Sequence, residues 1–279
     1  MKQNTYTLLC EKDMYMARIT IPKIIKFINS ENNFVIVDDG TLTDSSIVEL
    51  KLISPVIQII TRKDREQLVL SKISQFPKIR ELRNNFAFAF KLIDIPILSI
   101  ENKESRYTYT DTDIIYYKNC SDYFNRSENT HLRTDGVKIS IKLQKLLLKY
   151  SWKLPYKFNA GYLSFDTKDY DLNFIETFLK NPDINNIPWL VEQTCWGLIF
   201  SNAGKCYYPK ENEFLCREDL KSPIGANAVH LIGNLKKNIQ TWSQISIDDT
   251  NRKEPSFKLS RNVSFADWIL KSIKRVLKQ

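Results

Sequence analysis

Glycine and proline are scarce, at seven and ten among 279 residues. That excludes a collagen-like repeat and a low-complexity Pro/Gly chain. No apolar run approaches the roughly 20 residues a membrane-crossing helix needs. The start, Met1-Lys-Gln-Asn-Thr-Tyr6, is not followed by the sustained apolar core of a secretion signal. Five cysteines (Cys10, Cys120, Cys195, Cys206 and Cys216) are an odd number with no C-x-x-C pair. Such usage fits a reducing compartment better than a disulfide framework, so a cytoplasmic location is expected. Internal repeats, Gly/Ser linkers and RNP, zinc-finger or helix-turn-helix patterns are absent from the sequence as well.

What is present is 43% hydrophobic residues, 13 Tyr and 15 Phe, enough for one substantial core in an α/β protein. A formal charge of +9 and a pI near 9.1 suit an anionic partner. Nucleic acid, an anionic membrane surface or a phosphorylated substrate would each use that charge. The lysines are scattered, and charge alone does not choose.

Tyr6–Cys10 reads as a first strand and Glu11–Tyr15 as its exit loop, followed by a helix over about Met16–Ile28. Phe34–Val37 is a fully apolar second strand running into Asp38-Asp39-Gly40, a turn signal. Thr43–Ser46 offers N-caps for a short helix. Val56–Ile60 is a third strand, Arg62–Glu66 starts a helix, and Pro77 divides the helical region that follows. Its second piece runs through Ile79, Leu82, Phe86, Phe90 and Leu92 to a stop at Asp94-Ile-Pro96. This alternation predicts a Rossmann-like, mostly parallel central sheet flanked by helices. Asn119 to about Gly136 is polar and carries no pattern that assigns an element, a loop over the site being one reading. Val137–Tyr150 suits a helix, Phe158–Phe165 a strand and Glu192–Phe200 a helix packed on the sheet.

The chemistry centres on Arg106-Tyr-Thr-Tyr-Thr-Asp-Thr-Asp-Ile-Ile-Tyr-Tyr117. β-Branched and aromatic residues flank Asp111 and Asp113 on both sides, the signature of a strand. Two carboxylates in such a segment are costly to bury without a partner. A divalent cation at a strand end, taking hard carboxylate oxygens, resolves that cost. His230-Leu-Ile-Gly-Asn-Leu-Lys236 supplies an imidazole to complete such a shell, Gly233 for close backbone approach to phosphate, and Lys236 as a cation. The bland alternative is a structural histidine with a surface lysine. Asp38 and Asp39 suit either a turn or a ligand site, Asp166 either a catalytic base or a strand-end acid, and Trp189, Trp196 and Trp242 read as core.

These segments resemble the GT-A glycosyltransferases, and among them the galactosyltransferase and glycogenin-like group known as family eight. A first strand leading to a base-binding loop, D-x-D, F-N-A-G, an acid-Gln pair and H-x-x-G-x-x-K occur here in that order, from Glu11 to Lys236. The resemblance implies a GT-A fold and Mn²⁺ (or Mg²⁺) on Asp111, Asp113 and His230. It implies that Asp13 and Tyr15 hold the nucleobase, with Asp39 and Asp111 also on the nucleotide. Asn159, Ala160 and Gly161 would line the donor sugar, Glu192 and Gln193 would sit beneath it, and Gly233 and Lys236 would close over the diphosphate. The implied reaction moves a sugar from a nucleotide donor, UDP-linked, to a hydroxyl of a glycan, glycolipid or protein. Retention of configuration and a setting in bacterial surface-glycan synthesis are implied too; an inverting enzyme would need a base, with Glu192 or Asp166 as candidates. Three departures bear on substrate: Glu192-Gln-Thr194 in place of Asp-Gln-Asp, Lys237-Asn238 in place of Pro-Trp, and Asp38-Asp-Gly-Thr-Leu42, which resembles another bacterial GT-A branch.

Residues 1–262 are read as the catalytic domain and 263–279 as a basic amphipathic helix. Phe265, Trp268, Ile269, Ile273, Val276 and Leu277 share one face, with Lys271, Lys274, Arg275 and Lys278 largely away from it. Such a segment either lies in an anionic membrane interface or packs on the protein body. Two rival functions stay open: a nucleotidyltransferase on a related fold, disfavoured by the lack of a Gly-rich loop after the first strand, and a non-enzymatic basic protein binding nucleic acid or membrane.

Overall fold

In Phe34-Val-Ile-Val37, Phe34 and Ile36 enter one apolar layer and Val35 and Val37 another, so the strand is covered on both faces. Period-two alternation within an unbroken apolar run is the pattern of a central parallel strand. The computed structural model describes residues 3–28, 31–117, 120–134, 141–181, 188–245, 255–264 and 266–267. Its first half runs β1 (Thr5–Leu9), α1 (Met14–Ile25), β2 (Phe34–Asp38), α2 (Asp44–Ile53), β3 (Ile57–Ile60), α3 (Arg62–Lys72), α4 (Pro77–Asn85), α5 (Ala89–Leu92), α6 (Asp94–Glu101) and β4 (Arg106–Thr110). The second half runs β5 (Ile114–Tyr116), α7 (Ser121–Phe124), β6 (Thr130–Arg133), α8 (Ile141–Lys149), β7 (Leu154–Pro155), β8 (Phe158–Asp166), α9 (Leu172–Leu179), α10 (Pro188–Asn202), β9 (Tyr207–Pro209), β10 (Phe214–Leu215), β11 (Ala228–His230), α11 (Ile239–Ser243), β12 (Phe257–Leu259) and β13 (Asn262–Val263).

The central sheet has the order β12-β9-β6-β8-β4-β1-β2-β3. Four of its seven pairings are parallel, so the sheet is mostly parallel as expected. The parallel character is concentrated in β4-β1-β2-β3; β8 enters antiparallel between β4 and β6. The polar stretch read as a loop is corrected in part: Thr130–Arg133 is β6, inside the sheet. Its concealment follows from composition, because a strand of Thr-His-Leu-Arg has no apolar alternation. Its His131 is nonetheless buried among the rings of Phe158, Phe200 and Tyr208.

The helices begin where their capping residues stand. Thr43 caps α2 by accepting from the Ser46 amide, Thr61 and Asp64 form a reciprocal capping box on α3, and Pro77 opens α4 at its first position. A buried ion cluster then locks three helices together. Asp94 of α6 accepts from Arg65 Nε of α3 at 2.7 Å and from Arg83 Nε of α4 at 2.8 Å, all three side chains being fully buried. Arg83 also pairs with Glu66, and the guanidinium groups of Arg62, Arg65 and Arg83 lie 4.9–5.3 Å from the Phe90 ring.

The Asp111–Asp113 segment does not continue one strand. β4 belongs to the central sheet, whereas β5 leaves it to join a three-stranded sheet, β10-β11-β5. Asp111, Thr112 and Asp113 are the junction between the two. No helix among the described residues is long and apolar enough to cross a membrane. Of the segment read as a terminal amphipathic helix from 263 on, Val263 is instead in β13, paired with Leu154, and residues 265 and 268–279 lie outside the described residues.

Candidate active site

Ligands of parallel α/β sheets collect at the carboxyl ends of the strands, where the strand order reverses. Here the order turns between β4 and β1, and a cleft of about 660 Å³ opens there. Cys10, Lys12 and Asp13 follow β1 into it, Asp39 follows β2, and Asp111 to Asp113 follow β4. The 85–88 segment and Lys91 form part of the opposite wall, with Glu192 and Lys236 completing the charged set.

Backbone pairing brings the acids to the histidine. β5 and β11 run antiparallel with Ile114 opposite His230, and the Leu231 amide donates to the Asp113 carbonyl at 2.9 Å. The Asp111 amide donates to the Gly161 carbonyl at 2.8 Å, holding the acid at the end of β4 against β8. Ligand atoms from Asp111, Asp113 and His230 consequently all lie within 4.8 Å of one another. His230 Nε2 stands 3.1 Å from Asp113 Oδ1 and 3.7 Å from Asp111 Oδ2. Asp113 Oδ1 is buried and, despite that closeness, has no hydrogen bond of acceptable geometry. Two carboxylates and an imidazole around an unsatisfied buried oxygen fit a hard divalent cation such as Mn²⁺ or Mg²⁺.

Behind the imidazole, Cys216 Sγ lies 3.4 Å from Nδ1, which leaves Nε2 facing the acids. Burial disfavours charge on His230, but Asp113 outweighs it and holds the imidazole pKa well above its ordinary value. Burial likewise works against the Asp113 carboxylate; His230 and Lys236 overcome it and keep that group well below the usual carboxylate range. Lys236 reaches Asp113 Oδ2 at 2.8 Å from the rim of the cleft.

Lys91 occupies the other side of the acids. Its ammonium is 3.4 Å from Asp111 Oδ1, 3.7 Å from Glu192 Oε1 and 4.5 Å from the centroid of the Tyr109 ring, and Tyr109 OH donates to the same Asp111 oxygen. Burial pushes the Glu192 carboxyl up to about 7, against the opposing pull of Lys91. Sequence reasoning missed Lys91 and Tyr109. The available signal was a lone lysine in Phe86-Ala-Phe-Ala-Phe-Lys-Leu-Ile93: a cation in such a run is buried, and a buried cation requires carboxylates.

The remaining expected residues are placed as follows. Asp13 and Asp39 line the cleft, whereas Tyr15, on the first turn of α1, is 45% exposed and outside the lining. Asp38 is occupied in its turn, its Oδ1 accepting from the amides of Gly40, Thr41 and Leu42. Asn159, Ala160 and Gly161 are on β8 beneath the metal-ligand cluster; Asn159 Oδ1 accepts from the Gly161 amide at 2.8 Å. Gln193 is half-buried on α10 beside Glu192. Gly233 adopts φ +55° at the start of the turn that carries Lys236. Asp166 stands where its strand-end reading put it. It ends β8 opposite Arg106, five residues before Asp111 along β4 and so about 17 Å away at strand rise, and it pairs with Arg106 and Lys168. Trp196 and Trp242 are core, as expected; the side chain of Trp189 is not among those described.

The architecture is the GT-A glycosyltransferase fold. An active-site mutant of the galactosyltransferase LgtC superimposes with a TM-score of 0.52 at 11% identity, over 83% of this chain and 88% of that one. The glycosyltransferase GlyE of Streptococcus pneumoniae TIGR4 gives 0.53 at 13% identity, over 98% of this chain and 64% of its own length. Mouse xyloside xylosyltransferase 1 gives 0.51 at 11% identity, over 84% of this chain and 98% of that one. No family model matches the sequence, and no curated protein matches it either.

Proposed function

We propose that this protein is a metal-dependent glycosyltransferase that moves a sugar from a UDP-linked donor to a hydroxyl acceptor. The observation that carries the reading is the Asp111–Asp113–His230 cluster at the cleft, with Lys91 on one side and Lys236 on the other. Asp111, Asp113 and His230 would hold Mn²⁺ or Mg²⁺, which when bound supplies Lewis-acid charge to the donor diphosphate. Asp13 binds the base, Asp39 and Asp111 the rest of the nucleoside, and Gly233 and Lys236 close on the phosphates, while Tyr15, exposed and outside the cleft lining, is left without that role. Asn159, Ala160, Gly161, Glu192 and Gln193 surround the transferred sugar.

In the transfer, the acceptor oxygen bonds to the anomeric carbon as the bond from that carbon to the diphosphate oxygen breaks. The electron pair leaves with the phosphate, and Lys236 and Lys91 place fixed positive charge where it accumulates. With retention, the acceptor proton passes to the departing phosphate oxygen on the same face, so no enzymic base is required. The Phe265–Lys278 segment would hold the enzyme at the cytoplasmic face of an anionic membrane, beside a glycan or glycolipid acceptor.

The decisive experiment is a screen of nucleotide sugars for Mn²⁺-dependent hydrolysis, repeated with Asp113→Ala. Hydrolysis that needs the metal and collapses in the variant supports the proposal. Hydrolysis indifferent to the substitution, or none with any donor, rejects it.

A further inference from the structure

From Val137 to Phe165 the chain carries six lysines (Lys138, Lys142, Lys145, Lys149, Lys153 and Lys157) and no acid, although it holds 32 acids in all. A solvated surface of ordinary composition mixes the two signs. One sign sustained over such a stretch creates a local positive field that attracts an anionic body.

Folding gathers the middle of this run around exposed apolar groups. Leu146 and Leu147 of α8 enter the core, while Lys145, Leu148 and Lys149 stay exposed, Leu148 at 59%. Ser151, at φ +53°, reverses the chain and returns Trp152 to α8, where its amide donates to the Leu147 carbonyl at 2.9 Å. Trp152 stacks on Tyr150, with centroids 4.6 Å apart and 21° between planes, and packs on Phe174 and Phe178 of α9. Tyr150 is exposed, and so is Lys153. Among the described residues no carboxylate lies within ion-pair distance of Lys145, Lys149 or Lys153, whereas Lys157 reaches Glu211 at 3.9 Å.

Lysines set around an exposed leucine, a tyrosine and a tryptophan match the layers of an anionic bilayer surface. The ammonium groups meet headgroup phosphates, the aromatic rings suit the headgroup level, and Leu148 with the lysine stems reaches the acyl boundary. Nucleic acid would use the same charge but asks for open ring faces on which bases stack. Here Tyr150 and Trp152 are stacked on each other, and the Lys149 ammonium lies over the Tyr150 ring, 5.1 Å from its centroid. The chain's own segment from Phe265 follows β13, whose Val263 pairs with Leu154, the neighbour of Lys153. That segment carries Lys271, Lys274, Arg275 and Lys278 against a single acid, Asp267, so laying it over the patch would set like charges together. The charges favour attraction of both to a third, anionic body.

We infer that Lys145, Leu148, Lys149, Tyr150, Trp152 and Lys153 form a docking surface for an anionic lipid bilayer on the folded body of the protein. This goes beyond the terminal anchor proposed above, because the body makes a contact of its own. It does not rest on the transferase reading.

Flotation of the full chain with phosphatidylcholine vesicles, with and without phosphatidylglycerol, tests this in the absence of nucleotide and metal. The expected result is binding that requires phosphatidylglycerol and weakens with salt. Joint substitution of Lys145→Gln, Lys149→Gln and Lys153→Gln weakens it about a hundredfold, close to fivefold per lysine. Leu148→Ala alone weakens it about fivefold. All four positions are exposed, and unchanged thermal melting confirms that the variants are folded. In Trp268→Ser/Ile269→Ser protein, which weakens the terminal segment, the three lysine substitutions still cost the same factor. Equal binding to neutral vesicles, or vesicle binding indifferent to the lysine and Leu148 substitutions, overturns the inference. So does a triple lysine variant that keeps vesicle binding and loses binding of poly(U) RNA, which would assign the surface to nucleic acid. With no donor in the assay, the outcome is independent of the nucleotide-sugar screen.

Discussion

A β-carbon on Gly161 would stand 2.4 Å from Cε1 and 2.7 Å from Nδ1 of His230, so the imidazole occupies room that only glycine leaves. The ring is held between β8 on that side and Cys216 on another, and its Nε2 is delivered to the acids. Gly161→Ala therefore pushes a metal ligand out of place without touching a charge. Mn²⁺ affinity, read by electron paramagnetic resonance titration, should fall at least tenfold, in the range expected for loss of an orienting contact. Unchanged affinity would dissociate His230 from metal binding.

Metal binding should strengthen with pH. His230 must lose its proton to become a ligand, and its pKa is raised by Asp113 despite burial. Below that raised pKa each pH step downward costs up to about tenfold in apparent affinity, one proton being displaced per ion. Without metal the dependence has the opposite sense. The raised histidine stabilises the fold fully below its unfolded pKa and loses that contribution as pH rises through the folded one. Asp113, depressed, contributes above its unfolded pKa and loses this as pH falls through its folded value. Mn²⁺ titrations and metal-free melts across pH 5–9 should thus trend in opposite directions on the alkaline side. Parallel trends would contradict the pairing.

Glu192 is kept at the expense of stability. Its carboxyl moves from 4.5 to about 7 on folding, chiefly by burial. A raised acid pKa means the unfolded chain releases its proton first. The penalty is absent below the unfolded pKa, grows through the interval and is complete above about pH 7. Glu192→Gln should stabilise the metal-free protein by up to about 3 kcal/mol at pH 8–9 and by almost nothing at pH 4. Lys91→Met should do the reverse, since it removes the ammonium that holds the Glu192 and Asp111 charges. Melting temperatures of the two variants against pH provide the check, and a pH-independent difference for Glu192→Gln would contradict it.

Asp94 carries the largest structural stake outside the site. Asp94→Ala leaves Arg65 and Arg83 buried with reduced compensation, and destabilisation of about 3–5 kcal/mol is expected in urea unfolding. Arg65 Nη1 also donates to the Asp38 carbonyl at 2.7 Å, so the loss extends to the turn that presents Asp39. A change below about 1 kcal/mol would show that Glu66, the Asp38 carbonyl and the Phe90 ring sustain the two guanidinium groups without Asp94.

Periodicity was enough for most of the first half of the fold, where apolar strands and capped helices alternate, but the helix read through Ile79 to Leu92 is split into α4 and α5, and Asp94-Ile-Pro96, read as its stop, opens α6. Pro77, Thr43 and the Arg62–Glu66 run mark helix starts that the structure repeats. It was not enough for β6, whose residues carry no strand pattern, nor for the antiparallel entry of β8, which no local signal encodes. The adjacency of Asp111-Thr-Asp113 to His230 and Lys236 was legible from the order of the motifs. The reason for Gly161 was not: it was read as sugar-lining, while its constraint is space for an imidazole. Lys91 shows the same limit, since its partners Asp111 and Glu192 come from separate elements that only the folded chain unites.

The junction between β4 and β5 has a consequence for how the site comes into being. The central sheet can present Asp111 as soon as β4 docks, but Asp113 faces His230 only after β11 has paired with β5, a closure between segments remote in sequence. A chain arrested before that closure carries two acids and no imidazole beside them, and should hold Mn²⁺ little better than any exposed aspartate pair. Tight metal uptake during refolding therefore waits on that closure, and its time course reports when β5 and β11 pair.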